Sequence, residues 1–251
     1  MEFQSGTNNL IFAYGLVDPD PCKLDGDITY HEGRRGSRIL PLRSYANPPP
    51  EDKFARLDYV EFRFNNYLIP AADTTYYCEV QKAPTNYSTK RHAIGILIEP
   101  ANRGLVHHVL LYECHPTSKF DDNNLPHGLC DTLYLELAMC TTNIATVWAV
   151  GGDEIVEFPQ EAGYPIGGDF EIKYYLIQAH YSNPQIVSNH HGSTGFRFYL
   201  GEELRQHELG YLSFGTETSP FALAIPPHMD KFVVDSYCRA SATQVSYELY
   251  S

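Results

Sequence analysis

The sequence predicts an all-β protein built as antiparallel, jelly-roll-like sandwiches, and three observations carry that prediction. Short runs rich in Val, Ile, Tyr and Phe alternate apolar with polar residues. Pro, Gly and Asn punctuate the chain between those runs, with 17 prolines and 18 glycines in all. Helix-period patterning is scarce, so the βαβ alternation of a parallel sheet finds no support.

In chain order the expected strands run from Asn9 to Tyr14, Val60 to Phe64, Thr75 to Val80, Ala93 to Ile98 and Val106 to Glu113. They continue from Thr146 to Val150, Lys173 to Tyr181, Gly195 to Leu200, Ser219 to Ile225 and Lys231 to Tyr237. Strands this short and this numerous suit sandwiches. Residues 18–53, dense in Pro, Gly and charge and including Pro48-Pro49-Pro50, read as a linker. Residues 1–17 are too short to fold alone and read as the last strand of a preceding module.

The 251 residues, 43% of them hydrophobic, can supply an ordinary core. A net charge of -13 argues against a nucleic-acid surface, because few cations remain to neutralise phosphates. No stretch approaches the roughly 20 apolar residues of a membrane-spanning helix. The first residues, MEFQSGTNNLIFAYG, lack the basic region and apolar core of a secretory signal. Four of the six cysteines, Cys78, Cys114, Cys130 and Cys140, nevertheless cluster without CxxC spacing, which favours disulfides formed in an oxidising compartment. Asn86-Tyr87-Ser88 fits a glycosylation acceptor. A natural start upstream of Met1 reconciles these signals, with the secretory pathway or the extracellular space as the expected location.

Two local patterns bear chemistry. Adjacent His107 and His108 lie inside the apolar run from Leu105 to Cys114. Imidazole is a frequent ligand of transition metals, but neighbours on a regular strand face opposite ways, so both reach one ion only at a strand end, bend or bulge. The alternative is two ordinary histidines bonded to backbone carbonyls. The run from Tyr174 to Pro184 places Gln178 and His180 on one face by period two, making His180 either a third ligand or a satisfied core histidine. Between these runs, the lone tryptophan, Trp148, precedes Gly151-Gly152, which reads as a turn allowing close backbone approach. His190-His191 reads as an exposed loop pair, and His115 and His228 as surface residues. The chain contains no HExxH, GxSxG or P-loop.

Taken together, the segments resemble the copper type II, ascorbate-dependent monooxygenases, most closely the dopamine β-hydroxylase and monooxygenase X branch. The resemblance runs in order through Asp73-Thr74-Thr75-Tyr76-Tyr77-Cys78, His107-His108, Trp148 with its glycines, and Gln178-Ala179-His180-Tyr181-Ser182-Asn183-Pro184. It goes on through Gly195-Phe196-Arg197-Phe198-Tyr199 to Ala224-Ile225-Pro226-Pro227, covering roughly residues 54 to 238.

The resemblance implies that His107, His108 and His180 hold the family's electron-transfer copper, with Gln178 as a candidate neighbour behind the ligands. It implies disulfides Cys78 to Cys130 and Cys114 to Cys140. It divides the chain into the remnant of a DOMON-like sandwich at 1–17, the linker at 18–53, the N-terminal copper domain at 54–200 and the start of a C-terminal copper domain at 201–251. Ascorbate is the implied electron donor, and the substrate is a small molecule of amine, phenol or peptide class. An oligomer is compatible with the family.

The family's second copper uses a His-x-His pair and a methionine in the C-terminal half, and this sequence has no His-x-His; its methionines are Met1, Met139 and Met229. The expectation is therefore a chain cut before its oxygen-activating site, with the isolated chain unable to hydroxylate. Cys238 matches a cysteine whose partner lies in that half, and Cys22 has no counterpart. Two rival readings are a copper-binding protein without turnover and an extracellular β-sandwich interaction module that binds no metal.

Overall fold

The computed structural model describes residues 7–13, 35–41, 48–84, 87–141, 143–210 and 227–229, the first two segments by their backbone alone. The predicted all-β class is what is found. The strands are β1 (Thr7–Ala13), β2 (Arg35–Pro41), β3 (Asp58–Arg63), β4 (Tyr67–Ile69), β5 (Thr74–Lys82), β6 (Arg91–Glu99), β7 (Val106–Glu113) and β8 (His127–Leu129). They are followed by β9 (Asn143–Ala149), β10 (Ile155–Glu157), β11 (Ala162–Ile166), β12 (Tyr174–Ser182), β13 (His190–Gly192), β14 (Gly195–Leu200) and β15 (His207–Glu208). One short α-helix, α1 (Tyr134–Leu137), lies between two 3-10 turns.

The chain divides into two compact units. In the larger, which includes residues 40–211, one sheet has the order β15-β11-β6-β14-β3, with β10 also paired to β6. The other has the order β8-β5-β12-β7-β9. Pairing is antiparallel throughout these sheets except for the short β11–β15 contact. Strands β1 and β2 form a separate two-stranded sheet. Strand β2 falls within the stretch expected to be a linker, where its alternation is obscured by Arg35, Gly36, Arg38 and Pro41. The strands expected at Ser219 to Ile225 and Lys231 to Tyr237, together with Cys22, Asn86 and Cys238, lie outside the described residues.

Period two decides the layers. From β12, Tyr175, Ile177, Ala179 and Tyr181 point into one core, where they meet Val109 and Leu111 of β7 and Phe62, Ile96 and Phe198 of the facing sheet. This shared cluster makes the two sheets a sandwich. Tyr164 reaches across it to donate a 2.6 Å hydrogen bond to the buried Glu113, and its hydroxyl lies 3.1 Å from that of Tyr175. The outward residues of β12 divide differently. Tyr174 and Leu176 are covered by a second cluster with Val80, Leu137 and the cysteines 78, 114 and 140, whereas Gln178 and His180 continue along the same face beyond it.

Strand β14 sits between β3 and β6, with Gly195 opposite Arg63 on one side and Glu99 on the other. A Cβ at Gly195 would lie 2.6 Å from both Arg63 Cβ and the Phe62 carbonyl oxygen. Gly195→Ala is therefore expected to cost about 1–3 kcal/mol through forced backbone displacement. Urea unfolding measures this directly, and an unchanged midpoint would show that β3 yields freely.

Candidate metal centre

Antiparallel pairing brings His108 of β7 directly opposite His180 of β12. Beyond that pair the register shifts, so that Tyr181 faces Val106 and His107 becomes the extra residue of a β-bulge. A bulge turns consecutive side chains toward the same side, which a regular strand forbids. The result is that His107, His108 and His180 each offer a ring nitrogen within 4.8 Å of the others. Ring centroids are 5.4 Å apart for His107 and His108, 4.9 Å for His107 and His180, and 5.0 Å for His108 and His180.

Backbone on both sides of the bulge is held. Val150 N–H donates to the His107 carbonyl at 2.9 Å, and Ser182 N–H donates to that of Leu105 at 2.7 Å. Val150 opens the glycine turn expected after Trp148. Gly151 has a φ of 88°, Gly152 N–H donates to Ala149 O at 2.9 Å, and Trp148 Nε1–H closes onto Gly152 O at 3.2 Å. The turn therefore anchors the strand end that supports His107.

The site lies on the outer face of the five-stranded sheet, with His107 exposed and His108 and His180 half-buried. Burial, reinforced by the neighbouring His180 and His107 rings, pushes the His108 pKa down to about 4. Burial, with His107 adding to it, lowers that of His180 as well. Both rings are thus uncharged at neutral pH, with lone pairs free to bind a cation. His180 Nδ1 is buried and has no hydrogen-bond partner among the described residues. Three clustered imidazoles, one with a buried nitrogen that makes no hydrogen bond among the described residues, fit a copper ion, which imidazole suits in both oxidation states.

The surroundings of His180 include Thr74 and Tyr76, residues of the Asp73-to-Cys78 segment to which the sequence assigns no role. Thr74 Oγ1 lies 2.8 Å from His180 Nε2. Tyr76 stacks on the His180 ring at a centroid separation of 4.2 Å and an interplanar angle of 5°. Period two along β5 signals that Thr74 and Tyr76 share a face, but only the β5–β12 register reveals which histidine they serve. Gln178 instead directs its amide at the sulfurs of Cys78 and Cys130, at 3.5 and 3.7 Å. Those cysteines are bonded to each other, as are Cys114 and Cys140.

No other histidine among the described residues joins this cluster. His190 and His191 belong to β13, paired with β4, rather than to a loop; so short a strand carries too little alternation to be visible in sequence. His191 Nδ1 is 3.3 Å from Asn66 O, His115 Nδ1 is 2.8 Å from Thr117 Oγ1, and His228 is exposed. No helix among the described residues is long and apolar enough to cross a membrane.

Residues 60–188 match the N-terminal domain of the copper type II ascorbate-dependent monooxygenases, a span that includes the three clustered histidines and both disulfides. Dopamine beta-hydroxylase of Canis lupus familiaris is 30% identical over 251 residues, covering 97% of this chain and 38% of that protein. Human dopamine beta-hydroxylase is 32% identical over 193 residues, covering 74% of this chain and 30% of its own length. DBH-like monooxygenase protein 1 of Mus musculus is 31% identical over 237 residues, covering 92% and 37%. This chain therefore spans less than two fifths of the length of these relatives.

Proposed function

The chain belongs to the copper type II ascorbate-dependent monooxygenases, and from that premise we propose that His107, His108 and His180 hold the copper that stores and delivers electrons. The convergence of the three rings at the β7 bulge is the observation that carries this reading. Copper, when bound, supplies a one-electron store cycling between its +1 and +2 states.

What the protein contributes follows from its own residues. The bulge presents His107 and His108 together, and β12 supplies His180 from the adjacent strand, so the donor set is built on two hydrogen-bonded strands and resists rearrangement. A donor set that keeps one geometry in both oxidation states lowers the reorganisation accompanying electron transfer. Exposure of His107 leaves one edge of the site open to a small reductant, the role proposed for ascorbate. In the protein of full family length, the proposed reaction is ascorbate- and O2-dependent hydroxylation of a small molecule. The two disulfides support folding in the secretory pathway or outside the cell.

Copper loading of the purified chain tests the proposal. One copper per chain is expected, with the Cu(II) electron paramagnetic resonance signal disappearing on addition of ascorbate. A folded sample that retains no copper would overturn the reading and favour a metal-free extracellular β-sandwich.

A further inference from the structure

We infer that Thr74 is a positioning residue for the histidine cluster: its hydroxyl oxygen accepts the His180 Nε2 proton and so leaves Nδ1 as the nitrogen that carries the free lone pair. The inference rests on the reading of the three histidines as a copper site. Neutral imidazole has one N–H and one lone pair, and the hydrogen bond made by one nitrogen decides what the other offers.

Two arrangements of the 2.8 Å contact between Thr74 Oγ1 and His180 Nε2 are conceivable. If Thr74 donated to Nε2, the ring proton would sit on Nδ1. That nitrogen is buried without a hydrogen-bond partner among the described residues, so its N–H would be stranded away from both water and acceptor. An orphaned buried N–H is unfavourable, because it gives up its hydrogen bond to water and gains none in return. If His180 instead donates from Nε2, the hydroxyl proton of the exposed Thr74 turns to water and nothing is stranded but a lone pair. A metal ion satisfies a lone pair and cannot satisfy an N–H. The second arrangement is therefore favoured in the metal-free chain and is the one ready to bind.

The neighbouring rings agree with this choice. His107 Nδ1 and His108 Nδ1 are 3.2 Å apart, so the same nitrogen of each ring is gathered at the bulge, and a lone pair kept on His180 Nδ1 would match them. Tyr76 stacks nearly parallel on His180 and restrains the plane of its ring, while Thr74 restrains rotation within that plane. Both come from alternate positions of β5, whose pairing with β12 puts Tyr76 opposite His180 and Thr74 opposite Ser182. Without Thr74 the ring keeps its stacking partner but loses the group that distinguishes its two nitrogens.

The test compares the full chain with Thr74→Val, which keeps shape and removes the hydroxyl, and Thr74→Ser, which restores it. Long-range 15N–1H correlation spectra of the metal-free protein, at a pH where the rings are neutral, report the His180 tautomer. Competition with a Cu(I) chelator reports affinity. The expected result is an Nε2–H tautomer in the parent chain and in Thr74→Ser, lost in Thr74→Val together with about tenfold of copper affinity, the range found for partners that orient ligands. An unchanged tautomer in Thr74→Val, or an Nδ1–H tautomer in the parent chain, would overturn the inference. Parent-level copper affinity in Thr74→Val would do so too. If no variant or parent binds copper while the tautomer still switches, the copper reading falls and control of His180 by Thr74 stands.

Discussion

His108→Ala is expected to weaken copper binding by more than about 100-fold, beyond the loss that follows removal of a ligand's supporting partner. His108 is the ring directly opposite His180 across β7 and β12, and it shares the bulge with His107. His107 and His180, with ring centroids 4.9 Å apart on separate strands, hold a cation far less well than three imidazoles, because the third bond closes the site at no further cost in ordering the protein. The fold should survive the change. His108 is only half-buried and lies on the outer face, so truncation opens little enclosed volume. It also removes a ring kept neutral by burial and by its histidine neighbours. Chelator competition measures the affinity, and thermal unfolding of the metal-free chains measures the fold. Equal copper affinity in the two proteins would remove His108 from the ligand set; a large drop in melting temperature would assign it a structural role instead.

The second large effect is expected from Cys114→Ser with Cys140→Ser. The bond between these residues closes a sequence separation of 26, for which the chain-entropy treatment gives about 3–4 kcal/mol of stabilisation. That is a substantial part of the roughly 5–15 kcal/mol stability of an ordinary domain. Both cysteines are buried in the cluster formed by Cys78, Val80, Leu137, Tyr174 and Leu176, a cluster separate from the main sandwich core. Its helical part is only α1 and the 3-10 turns around it, and these have few backbone hydrogen bonds of their own to fall back on. The loss should therefore be uneven. Hydrogen exchange should quicken most across residues 114–141, while β7 and β12 stay protected by the sandwich. Uniform acceleration would mean that the small cluster and the main core unfold as one unit. Denaturant unfolding gives the energy, and a loss well below 1 kcal/mol would place the stabilisation elsewhere.

The long strands β5, β6, β7, β12 and β14 announce themselves by alternation and β-branched or aromatic content, because each buries a regular set of side chains. Strands β4, β8, β13 and β15 have two or three residues, too few for a period to emerge. Strand β11 is not among the expected strands, because Gly163 and Pro165 break up its run, yet Pro165 faces His92 in the sheet. His107, His108 and His180 are identifiable as a set through resemblance to a family, whereas spacing alone favours ordinary histidines bonded to the backbone. Gln178 was legible as a residue on the His180 face, but its amide contacts the disulfide sulfurs.

The amino-acid sequence by itself determined the all-β class and the inward and outward faces of the long strands. Both follow from hydrophobic burial acting on a period-two backbone, a matter of local order along the chain. Tertiary structure alone decided that two adjacent histidines face the same way, because that depends on where β7 and β12 fall out of register. It also decided that Thr74, 106 positions away, meets His180 Nε2. A register shift and a cross-strand hydrogen bond are properties of pairs of strands. Their energies exist only once the strands have met, so no reading of either strand separately contains them.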